Sequence, residues 1–517
     1  MKQKILEFET CREVLDKVRQ RGKRIVHCHG TFELLHPGHI QHLEEAAKMG
    51  DVLVVTVTAA QHVHKGPGRP IFNDEQRLYC LASLQMVDYV VLVRHPGAVE
   101  IVEKVRPHIY CKGVEYADPK NFVDQRIAED AQAVRRFGGQ VRFVGQPVFS
   151  SSKLVGSFFS TVDPEIRDYI RELPHAKPDV VVDDVMEKIA GLRVLVVGDF
   201  IVDRYTYCKV QGLTAKARIL SVRPRYQENY LGGAYAIARH IRSFVKEAAL
   251  VTLSGGEPWV RSLVRSDRSN LDTAMVLMDS SYHTIVKERY VEQPGNRSEL
   301  IKIFATNRLL DAPSPSLRQR LIRTLKKALP RYDMVILGDY GHGMVDPEIQ
   351  HLLERKSPWL ALNCQTNSYN HGYNLITKYR RCHMLALDEN ELRLAFGDRN
   401  TAHDRLLVRL CKQVGCRSAH LTMSSQGSLS WLRPGAMHCC PAMTRSALDT
   451  IGAGDAYYAI AALCSHVQAS QPISSFLGNI AGGLAANIVG NKEAIDKRSL
   501  VKNAVFMLKS YHPEVGN

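Results

Sequence analysis

His36 and His39 stand three residues apart in Gly30-Thr31-Phe32-Glu33-Leu34-Leu35-His36-Pro37-Gly38-His39, directly after the apolar run Arg24–His29. A strand feeding a glycine turn and then a helix start brings side chains and backbone donors to one point. The first turn of a helix has unpaired N–H groups and the positive end of the dipole, so imidazoles placed there can hold and polarise a phosphate chain. Far downstream, Asp449-Thr450-Ile451-Gly452-Ala453-Gly454-Asp455 offers anion chemistry of another design. Gly452, Ala453 and Gly454 can present backbone N–H groups as a concave anion hole, and Asp455 can take the proton of a hydroxyl that attacks a phosphoryl group. Two phosphate sites of different build predict two phosphate reactions.

Those residues need a scaffold, and the hydrophobic pattern supplies one. A helix is predicted over Glu7–Arg19, with Thr10 and Glu13 at capping-box spacing. Strand signals at Arg24–His29, Asp51–Thr58, Tyr89–Val93, Pro107–Cys111 and Val141–Val144 alternate with helical patterns at Ile40–Lys48, Asp74–Met86, Ala98–Val105 and Asp124–Phe137. That alternation predicts a parallel sheet covered by helices. A charged helical stretch punctuated by Pro174 and Pro178 marks a boundary. A second series of buried strands begins at Arg193–Asp199 and continues at Ala249–Leu253, Met334–Leu337, Trp359–Asn363, Met384–Leu387 and Ala419–Thr422. Ala217–Arg223 and Thr284–Val291 alternate like exposed strands, as a small sheet lying over the main one would. The expected class is α/β with two doubly wound parallel-sheet domains: residues 1–160, a helical linker over 161–190, and residues 191–517.

Composition narrows the partners. The 517 residues exceed one ordinary core, and 45% apolar with 23% charged residues is globular. No run of 18 or more apolar residues appears and the start lacks a secretory pattern, so a cytoplasmic protein without membrane contact is expected. The twelve cysteines are scattered without a Cys-x-x-Cys pair, which reads as free thiols. A net charge of +15 suits anionic small substrates. Lys and Arg form no long basic tract, so nucleic acid is not an expected partner. His27 and His29 share a strand face; they read as core or site-lining histidines, with a metal site as the alternative, and no metal ligand is assigned.

The first motif resembles the signature of the cytidylyltransferase-like nucleotidyltransferases, and the resemblance continues in Lys65-Gly66-Pro67-Gly68-Arg69-Pro70, Gln76-Arg77, Lys112-Gly113-Val114-Glu115-Tyr116 and Ser150-Ser151-Ser152-Lys153-Leu154. Within that family it is most similar to the adenylyltransferase half of the bifunctional heptose kinase/adenylyltransferases. The resemblance implies that a sugar phosphate oxygen attacks the α-phosphorus of a nucleoside triphosphate and that pyrophosphate leaves. His36 and His39 are then catalytic; Gly30, Thr31, Phe32, Lys65, Arg77, Lys112, Ser150, Ser151 and Ser152 bind nucleotide; and Glu33, where the family usually has Asp, lies by the substrate. ATP is the expected nucleotide, CTP the alternative, and Mg²⁺ bridges the phosphates.

The rest of the chain resembles the ribokinase-type (PfkB) sugar kinases, through Gly198-Asp199-Phe200-Ile201-Val202-Asp203-Arg204-Tyr205, Leu231-Gly232-Gly233-Ala234, Asp339-Tyr340-Gly341-His342-Gly343 and Asp449–Asp455. The resemblance implies a catalytic base at Asp455, an anion hole at Gly452, Ala453 and Gly454, sugar contacts at Asp203, Gly232 and Gly233, and a β lid that often makes a homodimer. Three positions depart from the family: Ala236 replaces an asparagine, Asp388 opens the Asn-x-x-Glu motif, and Ser424 stands at a usual glycine. Tyr457 removes a dinucleotide fingerprint, and no Walker A sequence occurs. The expected enzyme phosphorylates a sugar or sugar phosphate and couples a sugar 1-phosphate to a nucleotide, with the domains in the reverse of the heptose enzymes' order. The rival reading keeps the nucleotidyltransferase alone and makes the second half a dimerising or sensing module.

Overall fold

The computed structural model describes residues 4–63, 70–95, 97–114, 123–144, 163–173, 178–292, 301–308, 312–367, 370–444 and 447–511. The backbone divides between Pro164 and Glu165 into two compact units.

In the first unit, strands β1 (Ile5–Leu6), β2 (Ile25–Gly30), β3 (Val52–Thr58), β4 (Tyr89–Val93), β5 (Ile109–Gly113) and β6 (Gln140–Val144) form a sheet in the order β1-β4-β3-β2-β5-β6. Every adjacent pair is parallel. The central strands are apolar on both faces because helices cover both. Leu43, Ala46, Leu78 and Leu81, from helices Pro37–Ala47 and Asp74–Ala82, pack on one face. Leu15, Val18, Ile101, Val105 and Val134 pack on the other. From β2 the chain steps to β3 in one direction and later to β5 in the other. That reversal is a topological switch point, where the carboxyl ends of the strands open a crevice.

The second unit runs from Glu165 to Lys509. Its main sheet contains β7 (Arg193–Gly198), β10 (Glu247–Gly255), β11 (Val276–Asp279), β14 (Met334–Asp339), β15 (Leu360–Cys364), β16 (Met384–Asp388), β17 (Ser418–Thr422), β18 (Ser428–Leu432) and β19 (Met437–Cys440). The order is β11-β10-β7-β14-β15-β16-β17-β18-β19, parallel as far as β17 and antiparallel beyond it. A separate sheet, β13-β12-β8-β9, is built from β8 (Phe200–Leu213), β9 (Leu220–Gly233), β12 (Ile285–Glu292) and β13 (Ile301–Arg308). Helices Pro164–Glu172 and Pro178–Ala190, read from sequence as a linker, pack on this unit. Tyr169 donates to Pro472 O (3.2 Å) and pairs with His438 Nε2 at 2.9 Å.

The structure corrects several local expectations. The first helix spans Cys11–Gln20, and Thr10 makes no side-chain cap bond. The two-residue β1 is too short to show a period. The lid has four strands rather than two, because the first buried strand continues past Asp199 into a 14-residue hairpin arm whose apolar residues read as core. Ala217 belongs to the turn of that hairpin.

Ser424 is exposed and sits at φ 54°, in the left-handed region that favours glycine. A residue with a side chain thus occupies a backbone conformation that glycine adopts without cost. Ser424→Gly is expected to raise the stability of the second unit by about 0.5–1 kcal/mol, read as a higher urea midpoint of its unfolding transition.

Candidate active sites

In the first unit the site is built on the carboxyl ends of β2 and β5. Gly30 ends β2, Thr31 follows, and Phe32 turns the chain at φ 45°. His36 then caps the helix Pro37–Ala47: its Nδ1 accepts from His39 N at 3.4 Å, and Pro37 occupies the first helical position, where no N–H is needed. The His36 and His39 rings stack at 3.9 Å with 21° between planes, and Phe32 meets His39 edge-on at 5.3 Å. The two imidazoles are therefore brought together at the helix start.

Other expected residues have different duties. Arg77 is 1% exposed; its guanidinium donates to Thr31 O (2.7 Å), Thr58 O (2.8 Å), Phe72 O (3.1 Å) and Asp74 Oδ1 (2.6 Å). It braces the glycine turn from behind. Glu33 is also 1% exposed, and its Oε1 accepts from Ile71 N at 2.9 Å. The longer carboxylate reaches this backbone amide. Lys112, at the end of β5, donates to His29 O at 3.3 Å and lies 3.6 Å from Asp130. Lys65, Ser150, Ser151 and Ser152 lie outside the described residues.

His27 is fully buried, pairs with Thr56 Oγ1 at 2.8 Å, and is held down to about 3 by burial and by the Lys112 charge. His29 Nδ1 meets the same hydroxyl at 2.8 Å. Among the described residues no group of three His, Cys, Asp or Glu is arranged to hold a metal.

In the second unit an open cleft of about 280 Å³ lies between the carboxyl edge of the main sheet and the four-stranded lid. Asp203, Gly233, Gly452, Gly454 and Asp455 line it, and Ala453 lies between two of them. Gly452 precedes helix Ala453–His466 at φ 83°, and a Cβ there would stand 2.4 Å from Asn491 Oδ1. Only glycine fits, so the helix start is bare and its N–H groups can face an anion. A Cβ at Gly232 would stand 2.1 Å from Asp203 Oδ2. The Asp203 carboxylate is held by Arg289 (2.7 Å) and Asn491 (3.0 Å).

Asp455 is nearly buried and accepts from Tyr340 Oη and Gln365 Nε2, both at 2.9 Å. Burial raises it to about 6; Asp203 adds to the rise, and Tyr340, Gln365 and Lys287 oppose it. Lys287, on the lid, is itself lowered by burial. Asp449 ties the anion-hole loop to the lid. It accepts from Tyr205 Oη (2.5 Å), Lys302 (2.9 Å) and Gly490 N (2.9 Å), which outweigh its burial and keep it below the usual carboxylate range.

The sequence assigned no role to Lys287, Arg289, Gln365 or Asn491. The first two alternate with Glu288 on one strand, a period-two hint, whereas Gln365 and Asn491 lie in loops with no pattern to mark them. The departures from the family also resolve. Asp388 caps helix Glu389–Phe396 through a reciprocal box with Glu391, so the carboxylate does the capping work of an amide. Both Glu391 oxygens are engaged by backbone N–H groups of Thr366 and Asp388. Burial and Asp388 raise Glu391 to about 8, so at neutral pH it adds little negative charge to the cleft. Ala236 is buried in helix Ala234–Arg242 and offers no amide.

Comparison with known proteins follows the same division. Residues 27–157 match the cytidylyltransferase-like family, and residues 192–496 match the pfkB family of carbohydrate kinases. The protein HldE of Aliarcobacter butzleri, described as bifunctional, is 39% identical over 138 residues, 26% of this chain and 29% of that protein. Its counterpart from Pseudomonas paraeruginosa is 35% identical over 153 residues, 29% of this chain and 31% of that protein. The chain thus spans under a third of the length of these relatives. Among solved structures, phosphofructokinase-2 from Escherichia coli in complex with substrates and products covers 61% of this chain and 99% of its own, with a TM-score of 0.48 at 13% identity. Arabidopsis thaliana ribokinase complexed with ribose and ATP covers the same shares with a TM-score of 0.46 at 14% identity. With its match extending over more than half of the sequence, the chain belongs to the pfkB family of carbohydrate kinases, and it carries a cytidylyltransferase-like domain ahead of that region.

Proposed function

We propose that this chain makes a nucleotide-linked sugar in two steps. The second unit phosphorylates a sugar or sugar phosphate with ATP, and the first unit transfers a nucleotidyl group, AMP before CMP, to a heptose-like sugar 1-phosphate with release of pyrophosphate. One observation carries this reading: each unit has a helix start at the carboxyl edge of a parallel sheet, with a different chemical group beside it. The relatives named as bifunctional and the two family matches support it. A cytoplasmic setting is part of the proposal; twelve free thiols and the lack, among the described residues, of any helix long and apolar enough to cross a membrane are in keeping with it.

In the first unit the sugar phosphate oxygen attacks the α-phosphorus while His36 and His39 donate to the phosphate oxygens as charge builds on them. Arg77 keeps the turn carbonyls of Thr31 and Thr58 fixed, so the stacked rings hold their aim. In the second unit Asp203 orients the sugar, Asp455 accepts the hydroxyl proton, and the N–H groups of Gly452–Gly454 receive the phosphoryl oxygens. The triphosphate would be taken as its Mg²⁺ complex, in which the ion would offset phosphate charge.

Pyrophosphate release from ATP or CTP with heptose 1-phosphate tests the first step, and ADP formation against a panel of sugars and sugar phosphates tests the second. His39→Ala should cut pyrophosphate release by about 10²–10³-fold and leave sugar phosphorylation intact. Asp455→Asn should reverse that pattern, with phosphorylation falling by about 10²–10⁴-fold. Because the base must be ionised and its carboxyl lies near 6, phosphorylation should fall as pH drops through about 6.

A homodimer through the lids is also proposed. Leu213, Ile301 and Phe304 are exposed on that sheet, Ile301 and Phe304 on one face of it, and exposed apolar side chains of this kind can pair with a copy of themselves. Leu213→Asp with Phe304→Asp should convert a dimer to a monomer in sedimentation velocity.

A further inference from the structure

We propose that Tyr340 and Gln365 form a positioning pair that pins Oδ1 of Asp455 and leaves Oδ2 as the oxygen that receives the sugar hydroxyl's proton. The proposal rests on the reading of this cleft as a phosphoryl-transfer site and specifies which atom of it acts.

Both hydrogen bonds to Asp455 end on the same oxygen. Tyr340 Oη and Gln365 Nε2 each donate to Oδ1 at 2.9 Å, and among the described residues no group donates to Oδ2. The donors leave neighbouring parallel strands at the carboxyl edge: Tyr340 follows β14, Gln365 follows β15, and Gln365 N donates to Asp339 O at 2.8 Å. Their separation is therefore set by the sheet and not by a loop.

Tyr340 is held from several sides. Asp199 Oδ2 accepts from Tyr340 N at 3.0 Å and His342 N at 3.4 Å. The missing side chain of Gly338 makes room for the ring, since a Cβ there would lie 3.1 Å from Tyr340 Cε2. The Lys287 ammonium sits 5.6 Å above the ring. Asn367 and Asn370 donate to Tyr340 O at 2.8 and 3.0 Å. A side chain fixed this firmly and only 3% exposed is built to aim its hydroxyl.

The step balances simply. The sugar O–H proton passes to Asp455 Oδ2 as the sugar oxygen bonds to the γ-phosphorus. The bond from that phosphorus to the bridging oxygen breaks, and ADP leaves with the electron pair. Two donors on Oδ1 stabilise the carboxylate before the step and stop the group rotating between two equivalent oxygens. Other charged groups also line this cleft with Asp455: Asp203 from β8, Lys287 and Arg289 from β12, and Glu391 from helix Glu389–Phe396. None of these is altered when one donor is deleted.

Tyr340→Phe keeps the ring and removes the donor; Gln365→Leu removes the other donor from the next strand. Two readouts are compared in the full chain: the acid limb of kcat/KM for ATP-dependent sugar phosphorylation, and the ¹³C titration of the Asp455 carboxyl, assigned by its loss in Asp455→Asn. The parent midpoint is expected near 6. Each variant should move it upward by about one pH unit, a tenfold rise in proton affinity, with KM for ATP unchanged. Midpoints that stay put in both folded variants, or that move downward, overturn the pair's role. Should no sugar or sugar phosphate be phosphorylated, the functional reading fails, while the carboxyl titration still decides whether the two donors govern Asp455.

Discussion

All strands of a parallel run leave the sheet at the same edge, so every crossover must begin there. The rest of this structure depends on that constraint. It delivers Gly30 and Lys112 to one end of the sheet in the first unit, and Tyr340, Gln365 and Asp388 to one cleft in the second. The helices that follow begin at the same edge, with their unpaired N–H groups turned toward it. An anion site therefore costs little to place; what differs between the units is the chemical group set beside it.

In the first unit that group is aromatic: two stacked imidazoles at a helix start, braced by an arginine that spends its donors on three backbone carbonyls and Asp74. In the second it is ionic. Asp203, Asp455, Lys287 and Arg289 converge in one cleft, while Glu391 lies at its wall with its charge suppressed. Mixed charges at close quarters give directional contacts to hydroxyls without a large net field. Asp449 adds a mechanical role, since its partners include lid residues from two strands and the backbone near Asn491.

Much of this was legible from residue order. The strands at Tyr89–Val93 and Met334–Leu337 are continuous apolar runs bounded by polar turns, which is how a strand covered on both faces must read. The helix starts announce themselves through His-Pro-Gly-His and Gly-Ala-Gly-Asp. Arg77 shows the limit: a cation near an anion site reads as a ligand contact, and only burial reveals that carbonyls consume its donors. The lid hairpin was truncated because its first half is buried and its second half exposed, so no single period describes it. Gln365 and Asn491 were invisible because a loop position is chosen by what it touches, and sequence spacing carries no record of that.

The two helices ahead of β7 have a practical consequence. Ile166, Ile170 and Leu173, and further along Val182, Met186 and Ile189, are all buried. Tyr169 reaches across to the strand that carries His438. A recombinant fragment cut at the first residue of the matched family region would strip this covering and leave a raw apolar strip on the catalytic half. The natural excision point lies upstream, at Glu165, and the segment before the sheet is better regarded as its outer wall than as a tether.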